Sequence, residues 1–233
     1  AGPLGTFIIV ALFIGVTALA CIPHASVLLS SVRDQWFMTV LPESYTLEHY
    51  GAALSHKLTL PGIRNSILFS SMSTVIDAVL GVVIAYLLVR RRFPGADVLD
   101  ALVMLPLAIP GIVLAFGYLV SFAGTTIDPR VNPVPLLVIA YAVRRLPYMV
   151  RAAYAGFQQI SVTLEDAAIN LGSSGFRALR RITLPLLSAN LIAGGILAFS
   201  FAMLEVSDSL ILAMKDQYFP LTKVIYTFLS RIE

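Results

Sequence analysis

The chain has 233 residues, of which 58% are hydrophobic and only 12% are charged, and its formal net charge is +3. A typical soluble domain is about 45–50% apolar and about 25% charged, so the composition argues against a soluble domain and favours a polytopic membrane protein. The basic residues stand in short groups between apolar runs, which gives no indication of a nucleic-acid partner. The lipid bilayer is therefore the expected surrounding of most of the chain.

Four apolar runs have the length of a membrane-spanning helix, which needs about 20 mostly apolar residues. In chain order they are Leu4–Leu29, Ile67–Val89, Ala101–Phe122 and Leu186–Leu204. Pro106, Pro110 and Gly111 interrupt the third run and predict a flexible or broken span. Gly194 and Gly195 in the last run allow neighbouring helices to approach closely.

A fifth helix is predicted over Val134–Gln159, running out of the membrane, with a candidate kink at Pro147. The polar segment Arg33–Arg64 predicts an extramembrane excursion. Tyr218–Arg231 predicts either a short surface helix or the lead-in to a sixth span. The fold class is therefore an all-α transmembrane bundle of about five spans, one permease-sized domain over 1–233. The absence of an initiating methionine suggests a fragment or half of a longer chain.

Orientation follows from the loops, because cytoplasmic loops are enriched in lysine and arginine. The basic residues divide almost evenly between the two sides. The dense cluster Arg90–Arg92 and the loop 161–185 therefore decide the orientation, and both are expected in the cytoplasm.

The loop 161–185 has the pattern of two short helices joined at a glycine. Ser161 or Thr163 can cap the first helix. An apolar face recurs at helical spacing in Leu164, Ala167, Ala168 and Leu171. Gly172 fits the stop of the first helix, and Pro185 fits the first turn of the next span. Spacing alone leaves two interpretations open: a docking elbow for another protein, or a plain amphipathic connector.

The same loop resembles the EAA loop of binding-protein-dependent ABC importer permeases. That pattern is Glu-Ala-Ala, three residues, Gly, nine residues, Ile, one residue, Leu-Pro. Here it is Asp166-Ala167-Ala168, Gly172, Ile182 and Leu184-Pro185, with every spacing kept. Asp166 stands where the family has Glu, and Glu165 precedes it, so either acid is a candidate for the docking contact. In this family the loop forms a coupling helix that inserts into a cleft on the ATPase subunit.

The resemblance extends beyond the loop, to Tyr86–Gly95, Leu105–Gly111 and Arg144–Tyr148. Glu205–Ala213 is most similar to the branch that carries ferric iron, and related branches carry polyamines, phosphonates and sulfate. The resemblance implies a multi-pass protein of the bacterial inner membrane. It also implies three partners: an ABC ATPase dimer, a periplasmic or lipoprotein solute-binding protein, and a second permease half, either a homodimer mate or a fused half.

Five charged residues in or near the spans are candidates for the solute pathway or a gate: Asp77, Arg144, Arg145, Glu205 and Asp208. A charged side chain at membrane depth is costly unless it is paired, neutral or hydrated. Asp77 fits a pathway contact or a structural hydrogen bond. The arginines fit an anion path, a gate, or, in the favoured interpretation, a structural pairing with Asp77 or backbone carbonyls. Glu205 and Asp208 fit a cation site, a contact for the binding protein, or a solvated loop rim.

Enzyme motifs are missing from the sequence. It has no Gly-x-x-x-x-Gly-Lys-Ser/Thr loop, no Gly-x-Ser-x-Gly and no His-Glu-x-x-His, so we expect no catalytic residue, no metal site and no cofactor in this chain. Two rival classes remain. A membrane-embedded enzyme would need a convergent polar site, and a passive channel would leave the spacing of the loop 161–185 unexplained.

Overall fold

The computed structural model describes residues 2–91 and 93–230, and this part of the chain is helical without a β-strand. Arg92 and Arg231, which the sequence analysis used, lie outside the described residues. The chain divides into two compact units, Ala1–Lys57 and Leu58–Glu233. The all-α fold class is confirmed, whereas the single domain over 1–233 stays a prediction.

The first unit contains one long helix and one short helix, α1 (Pro3–Val32) and α2 (Glu48–Ser55). The predicted first span Leu4–Leu29 lies within α1, whose most apolar window has a mean hydropathy of 2.5. The hydroxyls of Ser31 and Tyr50 are hydrogen-bonded at 2.7 Å, and an isolated bridge pairs Arg33 with Tyr45. These contacts fold the segment after α1 back towards the end of that helix.

The second unit contains nine α-helices among its described residues. They are α3 (Thr59–Arg90), α4 (Ala96–Ala108), α5 (Gly111–Ser121), α6 (Val134–Gln159), α7 (Val162–Asn170), α8 (Gly175–Ala178), α9 (Leu184–Met203), α10 (Ser207–Leu212) and α11 (Leu221–Leu229). The bounds of α6 are those the sequence predicts, and Pro147 lies inside it without ending it. A π-helical turn, Leu179–Thr183, joins α8 to α9.

Helices α3, α6 and α9 form the centre of this unit, and small residues allow their close approach. A Cβ added to Gly81 of α3 would lie 2.5 Å from Met149 Cγ of α6, and one added to Gly194 of α9 would lie 2.6 Å from Ala152 Cβ. Since lipid tails are as apolar as leucine, membrane helices associate through such close packing rather than through hydrophobic burial alone. The position of Gly194 agrees with its predicted packing role.

The third predicted span is broken, as its prolines indicate. Helices α4 and α5 meet at an angle of 104° across Ile109 and Pro110. Proline at 110 has no N–H to continue the α4 ladder, and it begins the next helix instead. The break directs α5 away from the axis of α4.

The last predicted span begins earlier than expected. The sequence analysis starts it at Leu186 with Pro185 in its first turn, but one continuous helix covers Gly175–Met203. The physical reason lies in the π-helical turn, where the N–H of Leu184 donates to the Leu179 carbonyl. This wider turn stands directly before Pro185, so the proline ring is accommodated without a helix end. The predicted position of Pro185 in the first turn of α9 is therefore confirmed, and the helix extends back to Gly175 through the π-helical turn.

Three described helices are long and apolar enough to cross a membrane: α1, α3 and Gly175–Met203, with a fourth if α4 and α5 count as one bent span. Helix α6 has 26 residues, but Arg144, Arg145 and Arg151 lower its hydropathy. The total of about five spans stays a prediction. The segment 218–230 contains α11, which has only nine residues.

Candidate functional site

The elbow, defined as residues 161–183, is built by local capping at each end of its two short helices. The Ser161 hydroxyl accepts a hydrogen bond from the Thr163 N–H at 3.3 Å, so Ser161 rather than Thr163 is the N-cap. Ser174 caps α8 in the same way, accepting from the Arg177 N–H at 3.4 Å. Serine oxygens satisfy N–H groups that have no partner inside the helix.

Gly172 ends α7 in the way that its position predicts. Its φ is +89°, in the left-handed region that glycine occupies without a Cβ clash. The N–H of Gly172 donates to the Ile169 carbonyl at 2.9 Å, and the N–H of Ser173 donates to the Ala168 carbonyl at 3.0 Å. These two bonds are the Schellman arrangement, which fixes the direction in which the chain leaves the helix.

The tip of the elbow presents apolar and acidic groups to the outside. Leu171 is 89% exposed and Phe176 is 74% exposed. Asp166 and Ala167 on α7 are also exposed. The remaining residues of the predicted coupling set are placed as follows: Gly172 and Pro185 exposed, Ala168, Ile182 and Leu184 half-buried.

The two neighbouring acids of the elbow have different surroundings. Asp166 is exposed, whereas Glu165 turns towards α3, where its Oε1 lies 3.2 Å from Arg90 Nε and accepts the Thr183 hydroxyl at 3.0 Å. Arg90 also donates from Nη2 to the Ile160 carbonyl at 2.8 Å. Arg90 and Thr183 are absent from the predicted site. The sequence signals for Arg90 were its place in the basic cluster Arg90–Arg92 and in the segment Tyr86–Gly95.

A basic concavity of about 420 Å³ lies along the second half of the elbow. Its lining residues are Ser174, Phe176, Arg177, Arg180 and Arg181. The three guanidinium groups recur at i, i+3 and i+4, which places them on one face of the helix. The elbow therefore carries an acidic side chain on its first helix and a positive face on its second.

A second charged cluster joins the middle of α6 to the end of α9. Arg144 Nε lies 3.4 Å from Glu205 Oε2 and 3.9 Å from Asp208 Oδ2, and Arg145 Nη2 donates to the same Glu205 oxygen. Glu205 is 3% exposed and Asp208 is fully buried. The alternative prediction that these two acids lie on a solvated loop rim is therefore wrong. The sequence analysis favoured pairing of the arginines with Asp77 or backbone carbonyls. In the structure they pair with these carboxylates instead.

The cluster also touches the break in the third span. A Cβ added to Gly111, the first residue of α5, would overlap the Arg144 guanidinium and would lie 2.8 Å from Ser207 Cβ. Because Gly111 has no side chain, the Arg144 guanidinium has room to reach the carboxylates of Glu205 and Asp208. Four of the five predicted pathway residues are thus brought together at one place: Arg144, Arg145, Glu205 and Asp208.

Asp77 stands apart from that cluster. It is fully buried in α3, and within residues 2–91 and 93–230 neither of its carboxylate oxygens has a hydrogen-bond partner. Its pathway role stays a prediction. In the same described ranges, histidine, cysteine, aspartate and glutamate form no group of three that could hold a metal ion.

Known proteins resemble this chain along most of its length. Residues 57–216 match the family described as binding-protein-dependent transport system inner membrane component. The molybdate/tungstate transport system permease protein of Pyrococcus furiosus is 32% identical over 80% of this chain and 72% of the relative. The ferric transport system permease protein of Actinobacillus pleuropneumoniae is 29% identical over 81% of this chain but only 27% of the relative.

The fold also matches a solved structure, that of a bacterial ABC transporter involved in the import of the acidic polysaccharide alginate. The TM-score is 0.70, and the match covers 98% of this chain and 81% of the other chain. The sequences are 20% identical, so this likeness supports the helical permease fold alone.

Proposed function

Because the chain belongs to the family of binding-protein-dependent transport system inner membrane components, we propose that it is the membrane-spanning subunit of an importer driven by a separate ATPase. The observation that carries this proposal is the elbow, whose exposed tip has the properties of a docking surface. A transport subunit also accounts for the spacing of Asp166–Pro185, which an enzyme or a passive channel leaves unexplained.

The chemistry of the elbow supports a protein partner. Leu171 and Phe176, the anchors of the proposed docking surface, expose large apolar side chains, and burying such a side chain against a partner contributes about 1.5–3 kcal/mol. Asp166 supplies a charge beside the anchors, and Ala167 permits close approach of another chain. We assign Asp166 rather than Glu165 to the docking contact, because the Glu165 carboxylate is already occupied by Arg90 and Thr183.

The proposed cycle has two states. ATP binding closes the ATPase dimer, the docked elbows move with it, and the pore formed with a second permease half changes from inward-facing to outward-facing. The elbow and the Arg90–Arg91 end of α3 then lie in the cytoplasm, and a solute-binding protein delivers its cargo from the other side. The inner membrane of a bacterium is the expected location.

The solute is proposed to be an inorganic ion. Two relatives give two candidates: an oxyanion of the molybdate type, from the relative matched over 72% of its length, and ferric iron, from the relative matched over 27%. The segment Glu205–Ala213 supports ferric iron by resemblance, and the longer match supports the oxyanion. Polyamine, phosphonate and sulfate remain further outcomes of the uptake assay.

A docking experiment tests the proposal. The chain is co-expressed with its ATPase and its binding protein and is purified through a tag on the ATPase. We expect the wild-type chain to co-purify and Leu171→Asp to reduce recovery strongly, as loss of about 2 kcal/mol of binding at an anchor would. Val131→Asp is the matched control, because Val131 is 72% exposed in the α5–α6 loop, which the proposal places on the opposite side.

The solute is tested by reconstituting the complex in liposomes with labelled molybdate, sulfate, phosphonate, polyamine or ferric iron outside. Uptake that depends on both ATP and the binding protein identifies the cargo. Failure of the wild-type chain to co-purify with the ATPase, or uptake that continues without it, would overturn the proposed function.

A further inference from the structure

We propose that Arg90, Glu165 and Thr183 form a strut that passes movement of the docked elbow to the membrane helices. This inference rests on the proposed function, since it concerns how a docked ATPase acts on the pore. The proposal makes Glu165 a positioning residue: its carboxylate holds the elbow to α3 and to the π-helical turn, and it does not contact the ATPase.

The geometry shows a single carboxylate oxygen shared by two elements. Glu165 Oε1 lies 3.2 Å from Arg90 Nε at the end of α3, and it accepts the Thr183 hydroxyl at 3.0 Å in the turn before α9. Thr183 is fully buried, and the side chains of Arg90 and Glu165 are 8% and 13% exposed. Solvent screens an ion pair in such a position much less than one on the surface.

Arg90 fixes the other end of the strut through contacts of its own. Its Nη2 donates to the Ile160 carbonyl at 2.8 Å, in the link between α6 and α7, and its guanidinium lies 5.7 Å from the centre of the Phe157 ring. One arginine therefore holds the start of the elbow and the end of α6 together. Because the guanidinium is planar and rigid, its bonds to the Glu165 carboxylate and the Ile160 carbonyl fix the relative direction of the two acceptors.

These contacts meet where three membrane helices enter the cytoplasmic side. Apart from the strut, α7 is joined to the membrane region by Ile160 and Ser161 before it and by residues 171–174 after it, and it packs against α8 and the π-helical turn that lead into α9. The strut adds to these connections a direct polar contact between α7 and the end of α3. With the strut, displacement of α7 displaces Arg90 and Thr183 directly, which is the coupling that an importer requires.

The assignment separates the two acids of the elbow by function. Asp166 is exposed and available to a partner, whereas the Glu165 carboxylate faces inward with its charge paired. The proposal therefore expects two different failures: loss of docking when Asp166 is changed, and loss of coupling with docking intact when Glu165 is changed.

The test uses the complete complex of chain, ATPase and binding protein in liposomes. We expect Glu165→Gln to co-purify with the ATPase at the wild-type level, while the amount of solute taken up per ATP hydrolysed falls about tenfold. Arg90→Gln should show the same fall. The exchange Arg90→Glu with Glu165→Arg restores a pair of opposite charges, and it should recover part of the lost uptake per ATP.

A purely structural role for the pair predicts another result. The single variants would then lower the yield and the thermal midpoint of the complex, but surviving complexes would transport as many solutes per ATP as wild type, and this outcome overturns the strut. Loss of ATPase binding by Glu165→Gln would equally overturn it. Failure of the unmodified chain to bind the ATPase would instead refute the proposed function on which the inference rests.

Discussion

Arg144 Nε lies 3.4 Å from Glu205 Oε2, and this largely buried ion pair joins the middle of α6 to the segment that follows α9. Arg145 donates to the same oxygen, so the negative charge of one carboxylate is shared between two positively charged arginines. Removing one member of a buried pair leaves the other charge without compensation, which is the most costly way to disturb such a cluster. The arrangement therefore gives a direct prediction about stability.

Glu205→Gln is expected to lower the free energy of unfolding by about 3 kcal/mol, because Arg145 loses its carboxylate and Arg144 keeps only the longer contact to Asp208, while side-chain size is kept. The thermal midpoint of the purified chain in detergent measures the effect. Arg151→Ala is the matched control: Arg151 pairs with Asp100 at 2.9 Å, but the two side chains are 46% and 36% exposed. A change below about 1 kcal/mol is expected there. Equal effects of the two variants would contradict the structural role of the buried pair.

Gly111→Ala is expected to disturb the break between α4 and α5. The added methyl group would overlap the Arg144 guanidinium, so the arginine must move or the helix must shift, at a cost of about 1–3 kcal/mol. Gly117→Ala on the same helix has no atom within 4 Å of the added Cβ. It should be neutral or slightly stabilising, because alanine is the better helix former. Thermal unfolding of both variants measures the difference, and a stable Gly111→Ala protein would argue against the contact.

Gly172→Ala is expected to weaken docking of the ATPase. A left-handed residue with a side chain costs about 1–2 kcal/mol, so the elbow should lose its turn between α7 and α8. Gly175→Ala is the control, since that glycine has neither a left-handed backbone nor an atom within 4 Å of an added Cβ. Recovery of the chain on a tagged ATPase distinguishes them. If both variants bind like wild type, the turn at Gly172 is not needed for docking.

Asp128, in the loop between α5 and α6, gives a prediction about pH. Hydrogen bonds from the Arg130 guanidinium and from the Gly124 N–H hold the pKa of its carboxyl well below the ordinary value of 3.8. A carboxyl whose pKa is lowered by folding stabilises the folded state above its unfolded pKa, and this contribution is lost as the pH falls towards the folded pKa. Asp128→Asn should therefore be less stable than wild type at neutral pH.

The stability difference between wild type and Asp128→Asn should shrink progressively as the pH falls below about 4. Thermal unfolding across this range measures it. In the background of Arg130→Ala, the same substitution should have a smaller effect at neutral pH, because the main donor is already absent. A difference that is constant with pH would show that the carboxylate charge does not contribute.

Local rules made several features of this chain predictable. The bounds of α6, the stop at Gly172 and the break at Pro110 each depend on residues within one or two turns of the feature itself. The apolar face of α7 was predictable for the same reason, because helical spacing places Leu164 and Leu171 on one face. These signals are the spacing of apolar residues, the capping residues and the prolines. Each acts without a contact to a residue distant in the sequence.

Longer-range features were not predictable in this way. The sequence placed Glu165 and Asp166 side by side as equal candidates, and it paired the arginines of α6 with Asp77 or with backbone carbonyls. Which acid faces Arg90, and which acid reaches Arg144, depends on the rotation and separation of packed helices. The extension of α9 back to Gly175 likewise depends on a π-helical turn that no local residue pattern specifies.

The sequence by itself therefore determined that this is a helical membrane protein of the importer permease family with an elbow between two helices. Only the tertiary structure decided which charged side chains of that elbow and of the α6–α9 cluster form ion pairs with other residues of the chain. The physical reason is that apolar period and caps act over a few residues, whereas an ion pair needs two side chains brought within about 4 Å by elements far apart in the chain.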